Sequence, residues 1–180
     1  GHDDLVGTAV TLGPVTLAKL KHWVGHSRVT ITPVLHVASD DTWTVDRHDP
    51  PPRMADMVRL RDETCVFPRC GRHARGCDLD HITPYVPLDE GGPPGQTGSH
   101  NSGPLRRRHH RWKTHGGYRC RPAGHGRHLW QTPHGLCLLV DHTGTHRLDP
   151  TDAELLLTAP PGIDIHLPDV AIEIDKETEE

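Results

Sequence analysis

The clustering of cysteine and histidine is the feature that most constrains how this chain folds. Three of the five cysteines, Cys65, Cys70 and Cys77, lie within thirteen residues, and 17 of the 180 residues are histidine. An odd number of cysteines, with no signal-peptide pattern before them, argues against a disulfide framework. Clustered thiols beside many histidines instead indicate a metal site, and therefore a small fold held together by metal ligands.

Few apolar residues are available for a core. The chain has one Phe, and aromatic residues make up only 4% of it. No apolar run approaches the roughly 20 residues that a membrane helix needs. We therefore expect a soluble, cytoplasmic protein with a small core and no membrane partner.

Charge is unevenly distributed along the chain. The stretch from Arg53 to Arg127 carries 14 Lys and Arg against 7 Asp and Glu, whereas the stretch from Asp149 to Glu180 carries ten acidic residues and one basic residue. A basic block of this kind is typical of proteins that meet a polyanion such as DNA, although it is also common on solvated faces.

Turn-forming residues and hydrophobic periodicity predict an α+β protein. The Asp49-Pro50-Pro51-Pro52 stretch is a stiff linker, which separates an N-terminal extension (1–52), the end of a longer upstream region, from a central domain (53–147). The acidic tail (148–180) favours disorder, apart from a turn of helix at 153–157. Helices are predicted over 15–24 and 53–63 and from Pro104 to Gly116-Gly117, and strands over 28–37, 42–45, 77–82, 127–131 and 136–140, with a loop over 84–100.

A strand–loop–helix unit carries the residues with catalytic chemistry. Asp80 and His81 lie at the end of a predicted strand, Asn101 in the following loop and His110 on the next helix. Asp80 offers a hard oxygen ligand for a divalent cation, and the unperturbed pKa of His81, about 6.5, suits a base near neutral pH. Because neighbours on a strand face opposite sides, we expect the Asp-His pair where the strand breaks up before Pro84.

This layout resembles the HNH endonucleases of the ββα-metal fold. The resemblance covers roughly residues 12–147. This part of the chain is similar to a large bacterial family in which an HNH segment follows a long, mostly helical region. The resemblance implies a small ββα-metal unit flanked by short helices and β-hairpins. It rests on five motifs: Thr64-Cys-Val-Phe-Pro, Cys77-Asp-Leu-Asp-His81, Gly91-Gly-Pro93, Asn101, and His109-His-Arg-Trp-Lys-Thr-His115-Gly-Gly117.

The resemblance also implies metal-dependent hydrolysis of DNA. Asp80 and His110 would hold one Mg²⁺ or Mn²⁺, and His81 would be the general base that activates water. Asn101 would fix the loop and orient His81, although in some HNH enzymes the Asn is itself a metal ligand. Contacts to DNA phosphates are expected from the basic residues on this helix, namely Arg107, Arg108, Arg111, Lys113 and His115.

One position departs from the family pattern. Arg106 stands where the family has a cysteine that completes a structural Zn²⁺ site, so that only Cys65, Cys70 and His109 remain of four ligands. Three outcomes stay open at this point. The site is weakened, zinc is absent, or a nearby donor, Cys77 or His115, substitutes.

Two other classes of function compete with the nuclease. The chain could be a catalytically weak or inactive DNA-binding zinc module from a decayed gene copy. A redox or metal-storage protein would fit the His and Cys content but not the order of the motifs. All four residues of the proposed catalytic set, Asp80, His81, Asn101 and His110, are present, which favours catalysis.

Overall fold

The computed structural model describes residues 6–9, 13–28, 43–124 and 126–160. The chain divides into two units, 1–40 and 41–180. Helices and strands occur in both, which confirms the α+β class. The division falls upstream of the linker at 49–52, because β3 (Thr44–Val45) pairs with β5 (Thr97–Gly98) of the second unit.

The first unit is a hairpin followed by a helix. Strands β1 (Val6–Ala9) and β2 (Gly13–Thr16) are antiparallel, and α1 (Leu17–Gly25) follows directly. The helix predicted over 15–24 begins two residues later than expected because Thr16 has an extended backbone and its hydroxyl accepts a hydrogen bond from the Lys19 amide as an N-cap. Beyond residue 28, the strand predicted over 28–37 lies outside the described residues.

Besides the short β3–β5 pair, the second unit contains a two-stranded pair, a four-stranded sheet and three helices. Its remaining elements are α2 (Pro52–Arg61), β4 (Asp78–His81), β6 (Ser102–Leu105), α3 (Arg107–His115), β7 (Arg119–Pro122), β8 (His128–Gln131), β9 (Cys137–Asp141), β10 (Gly144–Arg147) and α4 (Pro150–Thr158). Strand β4 pairs antiparallel with β6, and β7 to β10 form an antiparallel meander in the order β10-β9-β8-β7.

Several predicted elements are confirmed. The helix over 53–63 corresponds to α2, the strand over 77–82 to β4, and the strands over 127–131 and 136–140 to β8 and β9. The loop over 84–100 holds only short 3₁₀ turns at Leu88–Glu90 and Ser99–Asn101 and the two-residue strand β5.

The predicted start of α3 at Pro104 is wrong. Pro104 lies inside β6 opposite Leu79, and the helix begins at Arg107. The carbonyl of Pro104 accepts from the Val66 amide on the side of β6 that faces away from β4. Since the nitrogen and carbonyl of one strand residue point to the same side, the missing N–H of Pro104 leaves the pairing with β4 intact.

One apolar cluster joins the β4–β6–α3 unit to the four-stranded sheet. Its buried members are Cys65, Val66, Phe67, Cys77, Ile82, Leu105, Trp130 and Val140. Trp130 is fully buried on β8, and its indole N–H donates to the carbonyl of Val66 at 2.7 Å. The four-stranded sheet, which follows the β4–β6–α3 unit in sequence, therefore packs against that unit through this shared cluster.

Part of the acidic tail is ordered. Helix α4 buries Ala153 and Leu156 in a second apolar cluster with residues of β8 and β9, and Asp149 caps its N-terminus. The turn of helix predicted at 153–157 is thus confirmed as part of the longer α4, whereas the disorder expected for the rest of the tail up to 160 is wrong, and the remainder lies outside the described residues. No helix among those described has the length and apolarity needed to cross a membrane.

Replacing Trp130 tests the shared core. We expect Trp130→Phe to lower the free energy of unfolding by about 1–3 kcal/mol, because it shrinks a buried side chain and leaves the Val66 carbonyl without its donor. Denaturant titration measures the change. Trp43→Phe is the matched control, since Trp43 is 39% exposed. Equal losses in both variants would contradict a core organised around Trp130.

Candidate active site

The β4–β6 pair and α3 place the predicted site residues in one region. Asp80 lies opposite Gly103 and His81 opposite Ser102 in the antiparallel register, and α3 starts directly after β6. The turn of chain between Leu105 and Arg107 packs the helix against the strand pair, so His110 faces β4. The sequence analysis predicted a strand, a loop and a helix in this order, and the structure places the unpredicted strand β6 between the loop and α3.

Asp80 and His110 meet across this interface. Nε2 of His110 lies 3.3 Å from Oδ1 of Asp80. The other oxygen of Asp80, Oδ2, accepts from the ammonium of Lys113 at 2.7 Å, and Lys113 also donates to the carbonyl of His81. The Lys113 contact fixes the carboxylate, so one of its oxygens faces the imidazole. One oxygen and one nitrogen donor therefore converge on the same point.

Lys113 does not lie on the exposed face of α3 where a contact to DNA was expected. Its side chain is only 10% exposed and is paired with Asp80. The other four basic residues of this set, Arg107, Arg108, Arg111 and His115, are exposed. Arg108 additionally stacks its guanidinium over Trp112, 4.5 Å from the ring centroid.

Asp78 is a site residue that the sequence analysis missed. Its Oδ2 lies 3.4 Å from Nδ1 of His110 and 3.1 Å from Nε of Arg107. A carboxylate at Nδ1 orients the ring so that Nε2 is aimed at Asp80, the arrangement commonly found behind histidine ligands of metals. The signal was available, since residues two apart on a strand share a face and Asp78 and Asp80 have this spacing.

His81 lies on the other face of β4. The strand ends before Pro84 as expected, but only at the bend of residues 82–83, so the pair lies in regular strand and ordinary alternation separates His81 from Asp80. Nε2 of His81 is 2.7 Å from Oγ1 of Thr97, and the ring packs 5.0 Å from that of His48. Burial, followed by the charge of His48, lowers the pKa of His81 below its ordinary value.

Asn101 anchors the loop before β6. Its Oδ1 accepts from the Thr83 amide at 2.7 Å, and its Nδ2 donates to the carbonyls of Thr83 and Gln96. In the described part of the chain these bonds go to the loop and none goes to His81, although the Asn101 carbonyl accepts from the Ile82 amide directly after it. Asn101 thus fixes the loop as predicted, while the expected direct orientation of His81 is not seen.

The three predicted zinc ligands form a cluster. The donor atoms of Cys65, Cys70 and His109 all lie within 4.8 Å of one another. Nδ1 of His109 is 3.4 Å from Sγ of Cys65, and the ring of Phe67 stacks on the imidazole at 4.1 Å. The backbone amide of Arg106 donates to Sγ of Cys65 at 3.3 Å. Thiolate and imidazole ligands of a tetrahedral Zn²⁺ lie about 3.5 Å apart, so the separation of Cys65 and His109 fits such an ion.

Neither substitute ligand joins this cluster. Cys77 lies beside the cluster, since its thiol hydrogen-bonds to Cys65 as well as to the carbonyl of His73 at 3.5 Å, but its donor atom is not within 4.8 Å of all three others. His115 is an exposed residue at the end of α3. Burial raises the pKa of Cys65 to about 12. Burial and the charges of Arg106 and Arg108 lower the pKa of His109, which keeps its imidazole neutral and able to ligate.

Comparisons with known proteins bring no assigned activity. No family model matches the chain, and no solved structure matches it. The uncharacterized protein Rv3776 of Mycobacterium tuberculosis is 38% identical over 87 residues, which are 48% of this chain and 15% of that protein. The uncharacterized protein Rv2100 of the same organism is 32% identical over 142 residues, 78% of this chain and 24% of the relative. The chain thus spans at most about a quarter of the length of these curated relatives.

Proposed function

We propose that this chain is a metal-dependent endonuclease of the HNH type that hydrolyses DNA phosphodiester bonds. The observation that carries the proposal is the 3.3 Å separation between Oδ1 of Asp80 on β4 and Nε2 of His110 on α3. Strand β4 also carries His81. The family resemblance supplies the reaction, and the arrangement of these three residues supports it.

Asp80 and His110 are the residues that would hold Mg²⁺ or Mn²⁺. Carboxylate oxygen and imidazole nitrogen suit these cations, which keep several waters or substrate oxygens among their ligands. The donors fit, since Asp78 turns Nε2 of His110 toward Asp80 and Lys113 leaves Oδ1 available. When bound, the ion stabilises negative charge on the phosphate and on the departing oxygen.

The side chains of this protein then divide the remaining work. His81 takes a proton from a water whose oxygen forms a bond to phosphorus, while the bond from phosphorus to the 3′ oxygen breaks. The departing 3′ oxygen takes a proton from solvent and His81 returns its own to solvent, which leaves a 5′-phosphate and a 3′-hydroxyl. Because Asp80 and His81 face opposite sides of β4, the phosphate would lie across the edge of that strand. The exposed Arg107 and Arg111, four residues apart on α3, hold neighbouring phosphates without selecting sequence.

Replacing His81 tests the nuclease. We expect His81→Ala to slow the cleavage of plasmid DNA in Mg²⁺ or Mn²⁺ by about 10²–10⁴-fold, the usual contribution of a general base. His134→Ala is the control, because His134 is an exposed residue of the turn between β8 and β9, and it should cleave at the parental rate. Circular dichroism checks that both variants fold.

Two results would overturn the proposal. Equal cleavage rates in His81→Ala and the parent would remove His81 as the base. A parent protein that binds DNA but does not cut it with either ion would favour the alternative, a DNA-binding module without turnover.

We further propose that Cys65, Cys70 and His109 hold a structural Zn²⁺ whose fourth ligand is missing in this chain. The amide of Arg106 already contacts Sγ of Cys65, so a side chain at position 106 begins next to the cluster. A structural zinc normally has four protein ligands, and its binding contributes directly to folding. The site is therefore weaker than a complete one.

Restoring the ligand tests this zinc site. We expect Arg106→Cys to raise bound zinc toward one ion per chain and to raise the melting temperature by several degrees, because a ligand that binds only the folded state stabilises it. Metal analysis and thermal unfolding measure the two effects.

Control variants separate the explanations. The gain from Arg106→Cys should vanish in a Cys65→Ala background, where the cluster has lost a thiol. Full zinc occupancy in the parent, lost in Cys77→Ala, would show instead that Cys77 completes the site.

A further inference from the structure

Thr97 lies at the centre of a small buried network behind His81. Its hydroxyl is 2.7 Å from Nε2 of His81 and 3.2 Å from the carbonyl oxygen of His48. Thr97 is 0% exposed, so water does not reach the hydroxyl. Among the described residues, the hydroxyl therefore has Nε2 of His81 and the carbonyl of His48 as its two hydrogen-bond partners.

Counting protons assigns the direction of each hydrogen bond. A hydroxyl has one proton to give, and a carbonyl oxygen only accepts. If Thr97 gave its proton to His81, the carbonyl of His48 would lose this donor. All three groups are satisfied when Thr97 donates to His48 and accepts from an N–H at Nε2 of His81.

The opposite edge of the His81 ring is free for chemistry. Within the described ranges no residue offers Nδ1 of His81 a hydrogen bond, and Nδ1 is not among the buried polar atoms that lack a partner. Nδ1 is therefore the ring nitrogen of His81 that no described residue occupies. With the ring proton on Nε2, the lone pair of the neutral imidazole lies on Nδ1, where a water can approach.

We propose that Thr97 is a positioning residue that holds His81 in the tautomer protonated at Nε2 and so makes Nδ1 the basic nitrogen. The assignment of the tautomer stands on the hydrogen-bond network itself, whereas its catalytic meaning rests on the nuclease function proposed above. Which nitrogen of a histidine carries the proton is set by the hydrogen bond that the other makes, and Thr97 supplies that bond here.

The fold holds the acceptor of this network in place. Val45 pairs with Thr97 in the short β3–β5 ladder, which brings the 44–49 segment alongside the loop. Asp46 anchors that segment twice, since its carbonyl accepts from the Tyr85 hydroxyl and its carboxylate accepts from the Gly95 amide, both at 2.7 Å. The carbonyl of His48 is thus fixed from outside the strand–loop–helix unit.

Nitrogen NMR of the ion-free protein tests the tautomer directly. In long-range ¹H–¹⁵N spectra, the signals that disappear in His81→Asn identify His81. We expect the parent to show a protonated Nε2 and an unprotonated Nδ1. The reverse pattern in the parent would overturn the proposal, and this measurement requires no Thr97 variant to fold.

Two substitutions at Thr97 then separate the hydroxyl from its shape. Thr97→Val keeps the volume and removes the hydroxyl, so we expect both tautomers in its spectrum and a kcat about tenfold lower with KM unchanged, the effect of losing one hydrogen bond. Thr97→Ser keeps the hydroxyl and should retain the parental spectrum and rate within about threefold. An unchanged spectrum and kcat in Thr97→Val would overturn the role of Thr97.

The two readouts keep this inference apart from the proposed function. A parental spectrum with Nε2–H alone that becomes a mixture of both tautomers in Thr97→Val would support the network even if no variant cleaves DNA, and in that case the nuclease proposal alone would fail. Cleavage that depends on His81 but is equal in all Thr97 variants would leave the nuclease standing and overturn the positioning role.

Discussion

The candidate site depends on one buried guanidinium. Arg61, at the end of α2, donates to the carbonyls of Ser99 and Ser102 and forms a 2.6 Å ion pair with Asp62, and both side chains are less than a tenth exposed. Burial alone would raise the pKa of Asp62, but hydrogen bonds from His128 and Arg61 hold it below its ordinary value. Because a buried charge needs hydrogen-bond partners for its donors, these contacts hold α2, the start of β6 and β8 together. Asn101 lies in the chain between Ser99 and Ser102, whose carbonyls accept from Arg61.

Local sequence signals predicted most of the elements, and pairing between distant segments explains the misses. A Pro at the first turn and periodic apolar residues suffice for α2, and alternation suffices for β8 and β9. Pro104 is typical of a helix start, yet pairing with β4 keeps it extended. The compact unit that contains the site begins upstream of the boundary expected at 52, because pairing of β3 with β5 and the hydrogen bonds of Asp46 place the 44–49 segment with the site.

The chemical roles of the motif residues could be predicted from the sequence, but the residues that contact their side chains could not. Asp80, His81, Asn101 and His110 are recognised by type and order. Lys113 looked like an exposed cation because its helix is basic, but the position of the helix turns its ammonium onto Asp80. The hydroxyl behind His81 comes from a loop that carries no periodicity, so its place followed only from the tertiary structure.

Because side chains alternate between the two faces of β4, the two halves of the candidate site contact different parts of the fold. Asp80 faces α3, so the start of that helix determines where His110 lies, whereas His81 faces the loop and the 44–49 segment. His109 precedes His110 and points to the thiol of Cys65, and the cysteine–histidine cluster therefore sits at the first turn of α3. If the proposed zinc site is incomplete at Arg106, the start of α3, which places His110 against Asp80, loses part of its support. On that proposal, the half of the site formed by Asp80 and His110 is more sensitive to this departure than the half built around His81.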